Sequence, residues 1–305
     1  MRKTKTTNST ENQEGNEMND DQKVNEMNDE QEGNVNDFDF SSEFDIDPSL
    51  LSEEFNCKRA KRFPYGVVIN SENAGLFIPE KNLSKAGWLS EPELVEKELS
   101  GGTEIGLFLT NPRMIILGFV DPYLKYKDSE LVPVELRNTV IDWYDGFGGE
   151  IDKKMMDAVS EHLIMFLDES NNFLHEVPVR IRFKNVALWS LKESVGSYYS
   201  EAEMSFSRLL NIKHSSKDDK WRALCVIQVQ FKGIKEGTVK GSSYCCKVVD
   251  YVKPNLENFP KLFMGTRVKM NAVIEKYDSS IGFDEQVKLL LPEPTKFAAL
   301  PEGKY

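Results

Sequence analysis

The chain has 305 residues, with 38 Lys plus Arg against 50 Asp plus Glu and a formal net charge of −12, a length that holds one large domain or two small ones. No run approaches the ~18 apolar residues of a membrane span, and four cysteines are too few for a disulfide scaffold. The basic start MRKTKTTNSTENQ has no apolar stretch behind it and so does not read as a secretory signal; the expectation is a soluble, cytoplasmic protein.

The acid is unevenly placed. Residues 1–56 carry 16 acidic and 4 basic side chains, leaving 34 of each sign in 57–305. The first segment has no Trp or Tyr, and NEMNDDQ (16–22) returns as NEMNDEQ (25–31). So polar a segment buries too little apolar surface to offset the entropy of ordering, and it reads as a disordered, low-complexity acidic arm. Its last part, FDFSSEFDIDPSLLSEEF (38–55), alternates acids with Phe38, Phe40, Phe44 and Ile46. That composition suits a segment that folds onto a protein partner, with a plain solubilising linker as the alternative. CKRAKRFPYG (57–66) then reverses the sign. It reads as a basic patch at the domain edge or, alternatively, as a nuclear-import signal.

Residues 57–305 read as a single β-rich α+β domain. YGVVIN (65–70) and GLFIP (75–79) flank the turn-rich SENA, a hairpin pattern. NLSKAGW (82–88) is a short helix closed by Gly87, and ELVEKELSGGTEIGLFLT (93–110) turns at Ser-Gly-Gly. Pro112 forbids a helix through NPRMIILGF (111–119). VELRNTVIDWYDGFGGEID reads as a strand and a Gly-rich loop, and DKKMMDAVSEHLIMFL as opening in a helix.

The pattern is clearer from His162 onward. An apolar run, a polar turn at 168–172 and a second strand follow one another, and in VPVRIRFK the two-residue period puts Val177, Val179, Ile181 and Phe183 on one side and Arg180, Arg182 and Lys184 on the other. Residues 186–212 are helical, with Gly196 expected to divide them and Ser200 with Glu203 forming a capping-box pattern. The C-terminal LLLPEPTKFAALPEGKY reads as strand into coil. Several antiparallel hairpins with few helices define a curved sheet or a partly open, OB-like barrel.

The densest basic stretch is WRALCVIQVQFKGIKEGTVKGSSYCCKVVDYVKP (221–254), within 211–270 where 12 Lys plus Arg face 5 Asp plus Glu. It reads as a hairpin with a long, Gly-spaced loop. Lys232, Lys235, Lys240 and Lys247 supply cations, and Trp221, Tyr244 and Tyr251 supply rings, with Phe231 beside them. Grooves for single-stranded nucleic acid combine these two features, because phosphates attract cations and every base has a face to stack. The alternative is a solvated hairpin whose lysines discourage edge pairing and whose rings belong to the core.

Local catalytic signatures are absent: there is no G-x-x-x-x-G-K-[ST], H-E-x-x-H, G-x-S-x-G or C-x-x-C. Three histidines and four cysteines without ligand spacing do not suggest zinc, and no cofactor is expected. Asp145 and Glu150, the ends of DGFGGE, read either as a carboxylate pair or as the ordinary acids of a glycine-containing turn. The order GLFIPEKNLSKAGW (75–88), LTNPRMIIL (109–117) and WRALCVIQVQFKG (221–233) resembles an uncharacterised family common in cyanobacteria, over roughly residues 63–260. The resemblance implies a cytosolic bacterial protein, for which a nuclear reading of KRAKR is void, and it implies no activity. Two readings follow. One is a non-catalytic accessory protein for single-stranded DNA or RNA, using the β-hairpin and the 177–184 strand and modulated by the acidic arm. The other is a protein-interaction module using residues 38–55.

Overall fold

The computed structural model describes residues 62–99, 101–238 and 241–291. The acidic arm with Phe38, Phe40, Phe44 and Ile46, residues 57–61 of the basic cluster, Lys240 and the tail beyond Leu291 lie outside the described residues. Among the described residues, no helix is long and apolar enough to cross a membrane.

Strands β1 (Tyr65–Ile69) and β2 (Gly75–Pro79) form an antiparallel hairpin. Helix α1 (Glu80–Ala86) stops at Gly87, whose φ of 65° is the left-handed conformation that glycine adopts without strain. Strands β3 (Leu94–Leu99) and β4 (Gly102–Leu109) pair antiparallel, and β5 (Arg113–Phe119) begins immediately after Pro112. Then come β6 (Tyr123–Tyr126), β7 (Val140–Trp143), β8 (Met156–Phe166) and β9 (Val179–Lys184). The long helix α2 (Asn185–Leu209) and the short α3 (Asp219–Arg222) precede β10 (Ile227–Thr238) and β11 (Gly241–Tyr251). Helices α4 (Arg267–Ser280) and α5 (Glu285–Leu290) follow.

The strands order as β11-β10-β5-β8-β9-β1-β2-β4-β3, with β6 joined to β8 and β7 to β6. Among the described residues only β1 and β9 pair in parallel; every other pairing is antiparallel. The sheet curls into an open half-barrel. β10 and β1 are separated in the order by β5, β8 and β9, yet Gly233 of β10 reaches the turn between β1 and β2. The Cys246 N–H donates to Asn70 Oδ1 there at 2.8 Å, and the rings of Phe183 and Phe231 meet across the interior with centroids 6.4 Å apart. The β-rich, open and curved architecture is the one the sequence pattern predicts.

Helix α2 lies against the inner face of this curl. Its Leu188, Leu191, Tyr198 and Ala202 share one buried cluster with Ile181, Phe183, Phe231, Cys246 and Val248. The Tyr198 hydroxyl donates to Val226 O at 2.8 Å, and Ser190 Oγ accepts the Val248 N–H at 3.1 Å, so these two hydroxyls buried between helix and sheet are both paired. On the other face, Val273 of α4 with Leu224 and Val226 covers Ile115, Leu117 and Met165. Val287 of α5 joins Tyr123 and Val159 in a smaller cluster.

Five expectations are corrected. The helix anticipated from residue 152 is a turn leading into β8, and nearly every residue of β8 is buried. A strand covered on both faces loses its two-residue polar alternation and looks like a helix segment in sequence. Helix α2 runs unbroken through Gly196, and Ser200 sits mid-helix with Oγ donating to Gly196 O, so it caps nothing. The stretch read as a long loop, 233–243, is largely paired strand. The LLL of residues 289–291 closes a helix, and α4, whose apolar spacing is weak, has no counterpart in the sequence reading.

The seat of β10 on the β1–β2 turn depends on Gly233. A Cβ there would stand 2.0 Å from Ser71 O and 2.6 Å from Glu72 O, both backbone atoms with little freedom to retreat. Gly233→Ala is expected to cost about 2 kcal/mol of unfolding free energy through overpacking. An unchanged urea midpoint would show that the strand is not held against that turn.

Candidate nucleic-acid interface

Strand β9 alternates as its sequence requires. Val179, Ile181 and Phe183 are buried, while Arg180, Arg182 and Lys184 face the opposite side. The neighbouring strand β8 presents Glu161 directly opposite Arg182. The Glu161 side chain is only 2 % exposed; its Oε1 accepts from Arg182 Nη2 at 2.6 Å and Nε at 2.8 Å, and its Oε2 lies 3.4 Å from Arg180 Nη1. The Tyr123 hydroxyl donates to the same carboxylate at 3.2 Å. Burial, and then the Glu161 charge, raise the Tyr123 pKa, which keeps the hydroxyl protonated and able to donate.

Asp157 organises the next group, with Lys184 Nζ at 3.3 Å, Lys127 Nζ at 3.5 Å and the Asn185 amide nitrogen at 2.7 Å. Lys125 of β6 stands opposite Asp157 in register, and its pKa is lowered by burial and then by Arg182 and Lys184. The β9 cations are thus engaged with two carboxylates. Both lie in the apolar-looking run of β8, where SEHLIMF hides Glu161 as though it were a core position. An acid inside an otherwise apolar run is the signal that would have exposed it, because such a group is buried only with a partner. Arg180, Arg182 and Lys184 also border a groove of about 760 Å³ whose lining includes the acids Glu98 and Glu104.

The β10–β11 arm differs. β10 pairs with β5 only at Ile227 and Gln228, and from Phe231 outward its strand partner is β11. Lys232 and Lys247 are direct cross-strand partners, two like charges side by side on the outer face. Lys235 pairs with Tyr244 on the face continuous with the core, its Nζ 5.1 Å from the ring centroid. Among the described residues, Lys232, Lys235 and Lys247 have no carboxylate within ion-pair distance. The β9 and β10 sets are separated in the sheet by β5 and β8, so the predicted cations form two groups and not one row.

The predicted rings also divide. Trp221 in α3 packs on Phe206 and Phe263, with centroids 5.3 and 5.1 Å away, and Phe231 is 2 % exposed. The two-residue period of an unbroken strand would put Tyr251 on the Lys247 side. A bulge between Gln230 and Phe231 skips Val249, returning Tyr251 to the inner face opposite Val229, where its ring lies 6.2 Å from Tyr198. Trp221 and Tyr251 are therefore half-buried rings that pack one face against the core, and they do not form a continuous platform with the lysines of β10 and β11. Tyr244 is half-buried as well, but its neighbour is Lys235 and not a core ring.

A curled, open mixed sheet wrapped on one long helix, with an ion-paired strand face and a basic two-stranded arm, defines the class of this molecule. The chain belongs to the family described as a domain of unknown function, DUF5895, whose profile matches residues 60–296. The region that resembles an uncharacterised family in sequence, 63–260, lies inside that span. The chain is also similar to "Uncharacterized protein 254L" of Invertebrate iridescent virus 6, with 25 % identity over 167 residues, covering 52 % of this chain and 48 % of that protein. The chain thus spans about half the length of the curated relative it matches. No solved structure matches it significantly.

Proposed function

We propose that this chain is a non-catalytic accessory protein that binds single-stranded DNA or RNA along the β10–β11 arm. One observation carries the reading: Lys232 and Lys247 sit side by side on one face of the β10–β11 pair, Lys235 lies beside Tyr244 on the other, and among the described residues none of these lysines has a carboxylate within ion-pair distance. Two adjacent like charges repel unless an anion lies between them, and a phosphate backbone is such an anion. On the other face, the half-buried ring of Tyr244 beside Lys235 adds a surface for one base of a strand that wraps around the arm. The β9 arginines, held by Glu161, have a structural part in this reading and not a binding one. The acidic arm, residues 1–56, competes with nucleic acid for the lysines by charge. A cytoplasmic, bacterial setting belongs to the same reading and rests on the resemblance in residues 75–88, 109–117 and 221–233, whereas the curated relative is viral.

The test is fluorescence anisotropy of a labelled single-stranded oligonucleotide at two salt concentrations. Full-length protein is expected to bind in a salt-sensitive way, and protein lacking residues 1–56 more tightly. Lys232→Glu with Lys247→Glu should weaken binding about tenfold or more at low salt and reduce the salt slope by about 1.4, the value for two lost single-strand phosphate contacts. Equal affinity and slope in the double variant would remove the arm as the site. No binding by either length of protein would overturn the reading and favour a protein partner for residues 38–55.

A further inference from the structure

Strands β1 and β9 pair in parallel only at Tyr65–Arg180 and Gly66–Ile181, although β1 runs on to Ile69 and β9 to Lys184. Pro64 O accepts the Arg180 N–H at 2.8 Å, so the alternation of a strand turns the backbone groups of Gly66 and then of Val68 to that same side. Among the described residues, Val68 meets no strand there. The groove of about 760 Å³ opens along this unpaired edge. Every residue from Tyr65 to Ser71 lines it, and Arg180, Arg182 and Lys184 border it from β9. Seven residues of β1 and its turn, at about 3.3 Å each, give it a length of roughly 20 Å.

The charge beside that edge is unbalanced. Five cations, Arg180, Arg182, Lys184, Lys125 and Lys127, stand around two carboxylates, Glu161 and Asp157. The side chains of Arg180, Arg182 and Lys184 remain 35, 40 and 50 % exposed, so their ion pairs leave each with an open face. We infer that this groove takes an extended acidic peptide of a partner protein, added as a strand along β1 with carboxylates at alternate positions beside Arg180, Arg182 and Lys184. In this mode main-chain bonds to the open edge supply affinity, and alternate side chains supply specificity. The period matches, because Arg180, Arg182 and Lys184 share one face of β9 and carboxylates two residues apart share one face of a strand. A nucleic acid fits the groove less well. Its phosphodiester backbone has no N–H to give a strand edge, and Glu98 with the Lys81-paired Glu104 lines the same groove and repels a continuous polyanion. The lining includes no residue of β10 or β11, so the inference does not rest on the nucleic-acid reading.

The probe is a fluorescently labelled hexapeptide of alternating Val and Asp, titrated into full-length protein and followed by anisotropy. It is expected to bind, and two altered peptides to bind about tenfold more weakly, the value of one hydrogen bond or more. One carries Asn for Asp, which keeps the shape and removes the charge; the other is N-methylated throughout and cannot pair with a strand edge. Lys184→Gln, which leaves Lys127 on Asp157, should weaken the Asp peptide up to about fivefold, as for an exposed ion pair, and leave the Asn peptide unchanged. Equal binding of the Asp and Asn peptides, equal binding of the N-methylated peptide, or no binding would overturn the inference. Binding seen only in full-length protein carrying Glu43→Gln, Asp45→Asn and Asp47→Asn would assign the groove to this chain's own acidic segment and overturn a partner as its occupant. The variant Lys232→Glu with Lys247→Glu should keep the peptide in the presence of a single-stranded oligonucleotide. Displacement there would make the groove a nucleic-acid site and overturn the inference equally.

Discussion

Between pH 7 and pH 5 the full-length protein should lose about 4 kcal/mol of unfolding free energy, about 2 kcal/mol for each of two buried histidines. Burial pushes the pKa of both His162 and His175 down to about 4. In the unfolded chain both titrate near 6.5, so at pH 5 the unfolded state takes up two protons that the folded state refuses. The stabilisation is complete above about pH 6.5 and disappears as pH falls toward 4. His175 shows the reason in its bonds. Its Nε2 accepts the Phe166 N–H at 2.8 Å, its Nδ1 faces the Val177 carbonyl at 2.8 Å and must carry the hydrogen, and Trp88 stacks on the ring at 4.8 Å. A second proton has no site except the nitrogen that holds Phe166. Urea unfolding at a series of pH values measures the loss, and His162→Phe should remove about half of it. A flat profile from pH 7 to pH 5 would mean that the rings are hydrated in the folded state.

Glu161→Ala is expected to cost about 3 kcal/mol, at the low end for breaking a buried ion pair. The carboxylate is 2 % exposed and receives Arg180, Arg182 and the Tyr123 hydroxyl together. Without it, two guanidinium groups lie against β8 with no counter-charge, and a buried hydroxyl loses its acceptor. Both arginines remain more than a third exposed or close to it, so water recovers part of the loss, which is why the lower figure applies. Because the acid is buried, the cost should change little between low and high salt. Denaturant unfolding at pH 7 at both salt levels measures it. A cost below about 0.5 kcal/mol, in the range of ordinary surface substitutions, would show that β9 is not anchored through this carboxylate.

The elements legible in the sequence are those whose cause is local. Gly87 ends α1 through its own backbone freedom, Pro112 precedes β5 because it cannot continue a helix, and β9 shows its two faces because one is apolar and one is charged. The errors arise where burial removes the contrast that pattern reading needs. β8, covered on both sides, reads as a helix, and α2 passes through Gly196 because packing on either side of that residue outweighs the helix propensity of one glycine. The candidate site was half legible. Lys232 and Lys247 fall together as the strand period requires, but the bulge that turns Tyr251 inward and the carboxylate that takes up Arg182 both come from neighbouring strands.

By itself, then, the sequence determined that the excess acid resides in residues 1–56, that the remainder is neutral and β-rich, and that a basic hairpin lies at 227–251. Composition and short-range periodicity suffice for these, since each is a sum or a spacing along the chain. Which cations stay unpaired, which rings pack against the core, and where the edge of β1 is left open beside β9 were decided only by the tertiary structure. Each of those depends on what distant strands bring within a few ångströms, and electrostatic pairing and packing act over just that range.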